Sequence, residues 1–176
     1  PRVSRALGCI CALGLLAACA ADQVTGVRVN AGKPSAMTAK GQSSCQFRLR
    51  SLVDQRDDPS LGQLVRTKVA GGGFMEWVAA GIAALPGYTS EPAPTEVDVA
   101  ILKAYIQGIS TMKSANMVVR VTIASSGKAD RKHVYRGVDN TVNWNSTESE
   151  VQEAFDRAMS DLQRQMGADL AKSCQA

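Results

Sequence analysis

The chain has 176 residues, of which 45% are hydrophobic, 20% charged and only 5% aromatic, with a net charge of +4. That length suits one domain with its own core. The basic surplus is small and unclustered, which argues against nucleic-acid binding, where a basic stripe is expected. His133 is the single histidine, so most acid–base triads and zinc sites are excluded.

Arg2 and Arg5 precede an apolar run from Ala6 to Ala18, and small residues follow, which is the order of a secretory signal. The run is shorter than the roughly 20 apolar residues that span a bilayer and gives way to Asp22 and Gln23, so a removed leader fits better than a retained span. Leu16-Ala17-Ala18-Cys19 resembles the lipobox of bacterial lipoproteins, in which the cysteine thiol accepts diacylglycerol and becomes the first mature residue. The resemblance implies a leader over 1–18 and a lipid on Cys19. Because Ala20 rather than an aspartate follows, it also implies the periplasmic face of the outer membrane. The alternative is an ordinary A-x-A cleavage site, Ala18-Cys19-Ala20, with an incidental cysteine.

Residues 19–44 are rich in Gly, Ser, Ala, Thr and Lys and are expected to be a flexible tether, with room for one short strand near Val27–Val29. Residues 45–176 are expected to form the single domain. Cys9 and Cys11 belong to the leader, which leaves Cys45 and Cys174 besides the anchor. An even pair in an oxidising compartment reads as a disulfide. Closing so long a loop stabilises by about 4–5 kcal/mol in the chain-entropy model. Two unpaired thiols, one in a strand and one in a fraying tail, are the alternative.

Cys45, Phe47 and Leu49 alternate with Gln46, Arg48 and Arg50, the period-two pattern of a half-buried strand. A loop follows, broken by Pro59 and Gly62. Its Asp54, Asp57 and Asp58 lack the spacing of a calcium loop, and Arg56 among them is the simpler partner. A short strand then leads through Gly71-Gly72-Gly73 into a helix expected over Phe74–Leu85, with Met75, Val78, Ile82 and Leu85 on one face. The three glycines lack the sequel that a phosphate-binding loop needs.

Val97–Tyr105 fits either a strand, with Val97, Val99, Ile101, Lys103 and Tyr105 on one face, or a helix; the cluster of Val and Ile and the missing cap favour the strand. Two alternating runs about Ser126-Gly127-Lys128 predict a hairpin. In it Met117, Val119, Val121 and Ile123 face one way, with Val134, Arg136 and Val138 returning on the partner strand. Thr147 and Glu150 form a capping box, followed by Val151, Phe155, Ala158, Leu162 and Met166 at helical spacing. The helix is expected over Glu148–Lys172, with Glu153 and Arg157 paired on its exposed side. The expected fold class is therefore α+β, a mainly antiparallel sheet with two helices packed on one face.

The stretch from Val118 to Gly137, with Tyr135-Arg136-Gly137, Asn143-Trp144 and the Ser146-Thr147-Glu148 helix start, resembles the YajG-type bacterial lipoproteins. These are distantly like the auxiliary lipoproteins of envelope ABC transport systems. The resemblance implies a small α+β envelope lipoprotein and carries no catalytic residue over. No residue set nominates a catalytic centre, a metal site or a cofactor: His133 lies in a strand, and Ser125-Ser126 lies in a turn without a nucleophile elbow. The expected role is a non-enzymatic, lipid-anchored periplasmic module that binds a partner protein in envelope assembly or transport. The alternative is a carrier of a lipid or other small apolar ligand.

Overall fold

The computed structural model describes Gln23, Val24 and residues 45–175, with side chains over 45–172. The leader, Cys19, the strand expected near Val27–Val29 and most of the tether lie outside the described residues. Among the described residues the chain forms seven strands and two helices. These are β1 Gln23–Val24, β2 Phe47–Asp54, β3 Gly62–Leu64, β4 Thr67–Val69, α1 Phe74–Ala83, β5 Thr95–Ile109, β6 Met112–Ser125, β7 Arg131–Val142 and α2 Glu148–Gln175.

One sheet runs in the order β1-β4-β3-β5-β6-β7, with β2 also on β5. At 15 residues β5 is long enough to take two neighbours on one side. β2 pairs with its first half in parallel, from Phe47 opposite Thr95 to Asp54 opposite Ile101, and β3 pairs with its second half, with Gly62 opposite Ile106. The long β5–β6 and β6–β7 pairings are antiparallel, so the sheet is mainly antiparallel, as the sequence indicates. The short strand expected before α1 is a hairpin, β3–β4, turning at Val65-Arg66. Within the segment expected as tether, β1 pairs in parallel with β4.

Val97–Tyr105 is strand, but its expected single face is corrected by a β-bulge. Ile101 pairs with Val119 and Lys103 with Val118, leaving Leu102 as the extra residue. Val97, Val99 and Ile101 point into the core; beyond the bulge Ala104 and Ile106 do so, and Lys103 and Tyr105 turn to the outer face. The bulge thus keeps a lysine ammonium out of the apolar layer, where desolvation would be costly.

The face of β7 is also corrected. Tyr135, Gly137 and Asp139 point inward, opposite Val119, Met117 and Ala115, and Val134 is 62% exposed. The reason is α2, which lies directly on this strand. A Cβ at Gly137 would stand 2.1 Å from the Ala158 carbonyl oxygen. Tyr135 donates its hydroxyl to Asp169 at 3.1 Å, and Asp139 accepts from Arg157 Nε at 2.9 Å. The inward side of β7 meets the polar flank of a helix as well as the core, so hydrophobicity there is a poor guide.

α1 is preceded by Gly73, whose φ of 75° suits glycine, and ends at Ala83, two residues earlier than expected. Its buried residues are Phe74, Trp77, Val78 and Ile82, while Met75 is half-buried. Both helices share one face: Phe74 and Trp77 meet Phe155 edge-on at 6.3 and 6.2 Å between ring centres. The whole expected stripe of α2, Val151, Phe155, Ala158, Leu162 and Met166, is buried. Each large side chain in it contributes about 1.5–3 kcal/mol. Arg157 does reach Glu153, at 3.5 Å, but its shorter contact is with Asp139 across the layers. α2 also reaches the outer edge of β7. The Val138 amide donates to Asp161 at 3.3 Å, and Gln165 Nε2 donates to the Arg136 carbonyl at 2.8 Å.

Gly→Ala in a strand interior normally stabilises by about 0.5–1 kcal/mol. Gly137→Ala is expected to reverse that sign and destabilise by about 1–3 kcal/mol, because α2 must lift off the strand; the urea unfolding midpoint is the measurement.

Candidate functional site

Cys19 lies outside the described residues. Cys45 is buried just ahead of β2, and Cys174 falls in the last turn of α2, where side chains are outside the described set. Among the described residues His133 has no serine partner. Its ring stacks on Tyr135 at 5.8 Å between centres, and the Tyr135 phenol is pushed above its usual range first by burial and then by the Asp169 carboxylate. Such a phenol stays protonated and serves as a fixed donor. Among the described residues no group of three or more His, Cys, Asp or Glu side chains is placed to hold a metal ion.

The acidic loop after β2 is ordered by Arg56. Its guanidinium pairs with Asp54 at 2.7 Å, reaches the Ser60 carbonyl at 3.2 Å and lies 4.7 Å over the Phe74 ring. The Arg56 hydrogen bond holds the Asp54 carboxyl below its usual range, and the Ser60 amide does the same for Asp58. Arg56, Asp57, Asp58, Ser60, Lys103 and Tyr105 help to line an open groove of about 220 Å³. That is smaller than the roughly 300–1,000 Å³ of ligand pockets, and Arg56 and Asp58 already have partners in it.

The helix-free face of the sheet is the larger surface. Its β2–β5 end carries a ladder in which Arg48 pairs with Glu96 and Arg50 with both Asp98 and Glu96. Ser51 donates to Asp98 at 2.7 Å. Exposed pairs of this kind are screened by water and contribute little, so the ladder shapes the surface more than it stabilises the fold. Further along, Val53, Ala100, Arg120 and Val134 form one row across four strands, with Val53 47% and Val134 62% exposed. The next rows place Lys103, Val118 and Arg136 abreast, then Tyr105, Asn116 and Val138. Arg136 donates to Asn116 Oδ1 at 2.7 Å, and Asn116 to Ser114 at 2.9 Å. Sequence reasoning misses this buried polar line; its signal is the Lys113-Ser114-Ala115-Asn116 stretch, which interrupts the apolar alternation of β6.

Glu150 organises the loop between β7 and α2. Its carboxylate accepts from the backbone amides of Trp144, Asn145 and Thr147 at 3.0, 2.9 and 3.2 Å, while Thr147 Oγ1 accepts from the Glu150 amide at 3.3 Å. The buried Lys113 ammonium lies 3.4 Å away. Burial opposes ionisation, but these donors outweigh it and hold the Glu150 pKa at about 2 against an ordinary 4.5. A depressed carboxyl pKa stabilises the fold above the unfolded value and loses that effect as pH falls toward the folded one. Glu150→Gln is therefore expected to lower stability at neutral pH by about 1 kcal/mol. It should also flatten the acid slope between pH 4.5 and 2, as read from urea midpoints across that window.

No family model and no curated protein matches the chain. Among solved structures, it is similar to a Xanthomonas campestris protein of the DUF330 family, at 12% identity and a TM-score of 0.50, over 87% of this chain and 96% of that one. It is also similar to a hypothetical protein from Chlamydia trachomatis, at 9% identity and a TM-score of 0.45, over 72% and 97% of the two chains. A minor lipoprotein from Acinetobacter baumannii matches at 10% identity and a TM-score of 0.40, over 70% and 93%. The likeness to the Xanthomonas protein, over nearly the whole of that chain, shows a shared α+β fold.

Proposed function

We propose that this protein is a lipid-anchored, non-enzymatic module of the bacterial cell envelope, held by a diacylglycerol on Cys19 at the periplasmic face of the outer membrane. It presents the helix-free face of its sheet to a partner protein. The observation that carries the reading is Leu16-Ala17-Ala18-Cys19 at the end of a short apolar leader, where a thiol between small residues has a chemical role that an ordinary cleavage site does not need. The likeness of the C-terminal half to YajG-type lipoproteins points the same way. None of the described helices is long and apolar enough to cross a membrane. The carrier alternative asks for a cavity between sheet and helices. That layer is filled by one continuous cluster in which Phe74, Met117, Phe155 and Leu162 are each at most 1% exposed, and partner binding is favoured over it.

Cys174 is assigned in this proposal as the partner of Cys45. Cys45 is 3% exposed. α2 runs back along β7 toward the end of the sheet where β2 begins. A Cβ at Gly167 would lie 3.7 Å from Leu85 Cδ2, and two residues beyond Leu85 the Gly87 carbonyl accepts from the Phe47 amide at 2.9 Å.

The intact mass of protein extracted from its native membrane tests both assignments. The expected result is a lipidated chain beginning at Cys19 that gains two hydrogens on reduction, after which Cys45 and Cys174 alkylate. An unlipidated chain beginning at Ala21 would overturn the anchor, and alkylation of both cysteines without reduction would overturn the pairing. With a photo-cross-linker at Val134, one discrete envelope protein should be captured in cells; recovery of only abundant neighbours would count against partner binding.

A further inference from the structure

Seven large apolar side chains are exposed among the described residues, and five of them gather at one end of the molecule. They are Val65 at 70%, Ile109 at 54%, Met112 at 36%, Val142 at 41% and Trp144 at 78%. Ile109 pairs with Met112, and Met112 with Val142, so these three form a single row across β5, β6 and β7. Val65 joins the row from the β3–β4 turn, its amide 3.8 Å from where a Cβ on Gly108 would sit. Trp144 is tied in from the other side, because the Asn143 amide donates to the Thr111 carbonyl in the β5–β6 turn at 2.9 Å. The row crosses from β3 to β7, about 14 Å at the usual spacing of strands.

The backbone at this end is also held against its preferences. Val65, Ser110 and Ser146 have φ of 50°, 56° and 54°, and each lies in one of the three loops that form the tip. For a β-branched residue this conformation is an outlier, and a two-residue hairpin turn ordinarily uses Asn or Gly there. At Val65 the fold bears both backbone strain and an exposed apolar side chain, and neither contributes to its own core.

The anchor end of the chain comes in from the same side. β1 runs parallel to β4, with Gln23 opposite Lys68 and Val24 opposite Val69, so the start of β1 points toward the Val65-Arg66 turn. Cys19 stands four residues before Gln23, a stretch that spans at most about 14 Å. Arg66 and Lys68, both exposed, flank the turn with positive charge suited to anionic headgroups. The geometry points to a second membrane contact: the tip built from Val65, Ile109, Met112, Val142 and Trp144 docks into the lipid interface beside the anchor. This inference rests on the lipid-anchor reading for its placement. Tryptophan at such a tip is well suited to the headgroup layer, its ring apolar and its N–H free to bond there. The two chains of a diacylglycerol suffice to hold the protein at the bilayer, and a second, apolar contact fixes how the domain stands on it.

The lipidated full-length mature protein, reconstituted into vesicles of phosphatidylethanolamine with a minority of phosphatidylglycerol, tests this. Subtracting the emission of Trp144→Phe isolates Trp144 from the buried Trp77. Trp144 emission is expected to shift to shorter wavelength and to be quenched by brominated acyl chains. Emission unchanged from that of Cys19→Ser protein without vesicles, and open to aqueous iodide, would overturn the docking; so would a tip covered by a protein partner and dark to brominated lipid. A mass without lipid would remove the anchor reading alone, since vesicles added to the unlipidated chain still show or fail to show the Trp144 shift. Val65→Asn separates the two roles of that residue. It should raise the melting temperature by relieving the left-handed valine, while weakening vesicle association of the Cys19→Ser protein by about tenfold. Unchanged association would overturn the tip.

Discussion

The closeness with which α2 can approach β7 governs the helical side of this protein. At Gly137 the helix backbone takes the space of a side chain, with the Ala158 carbonyl over the strand. That approach lets the apolar stripe of α2 reach past β7 to the central strands and brings Arg157 and Asp169 within bonding distance of Asp139 and Tyr135. α1 in turn is positioned by α2. Trp77 Nε1 donates to Asp156 at 3.1 Å, and Gln163 Nε2 donates to the Gly81 carbonyl at 2.7 Å, so a shift of α2 would carry α1 with it. One missing side chain thus sets the thickness of the whole two-layer core.

The sequence carries the elements whose signal is local. The capping box and five-residue stripe locate α2 because both follow from helical period alone, and the stripe is buried in full. The β6 alternation at Met117, Val119, Val121 and Ile123 is legible for the same reason. What the sequence does not carry is phase set by tertiary contact. The bulge at Leu102 reverses the faces of β5 partway along, and only the register against Val118 and Val119 reveals it. β7 is read on the wrong face because its inward residues include a glycine and an aspartate that make sense only beneath α2. The helix-free face is hidden from pattern reading, since its rows combine side chains from four strands far apart in sequence.

The surfaces divide the labour in a way that composition alone obscures. One side of the sheet is consumed by the helices. The other is charged at the β2–β5 end and mixed apolar and basic at its centre. The third surface, the tip, combines strain, exposed apolar groups and the entry of the N-terminal strand. Its loops are nevertheless firmly built: the Glu150 carboxylate gathers three backbone amides beneath Trp144, so the indole is presented on a fixed base.

The bonds that α2 makes to the rim of β7 bear on crowding. An open outer strand offers unpaired amides and carbonyls to any other strand that drifts past. Here Asp161 and Gln165 occupy the Val138 amide and Arg136 carbonyl from the side, so a second copy finds no vacant ladder at that point. Copies of the chain cannot zip into fibres through this point of the rim. Lateral polymerisation through it would first require the long helix to peel away.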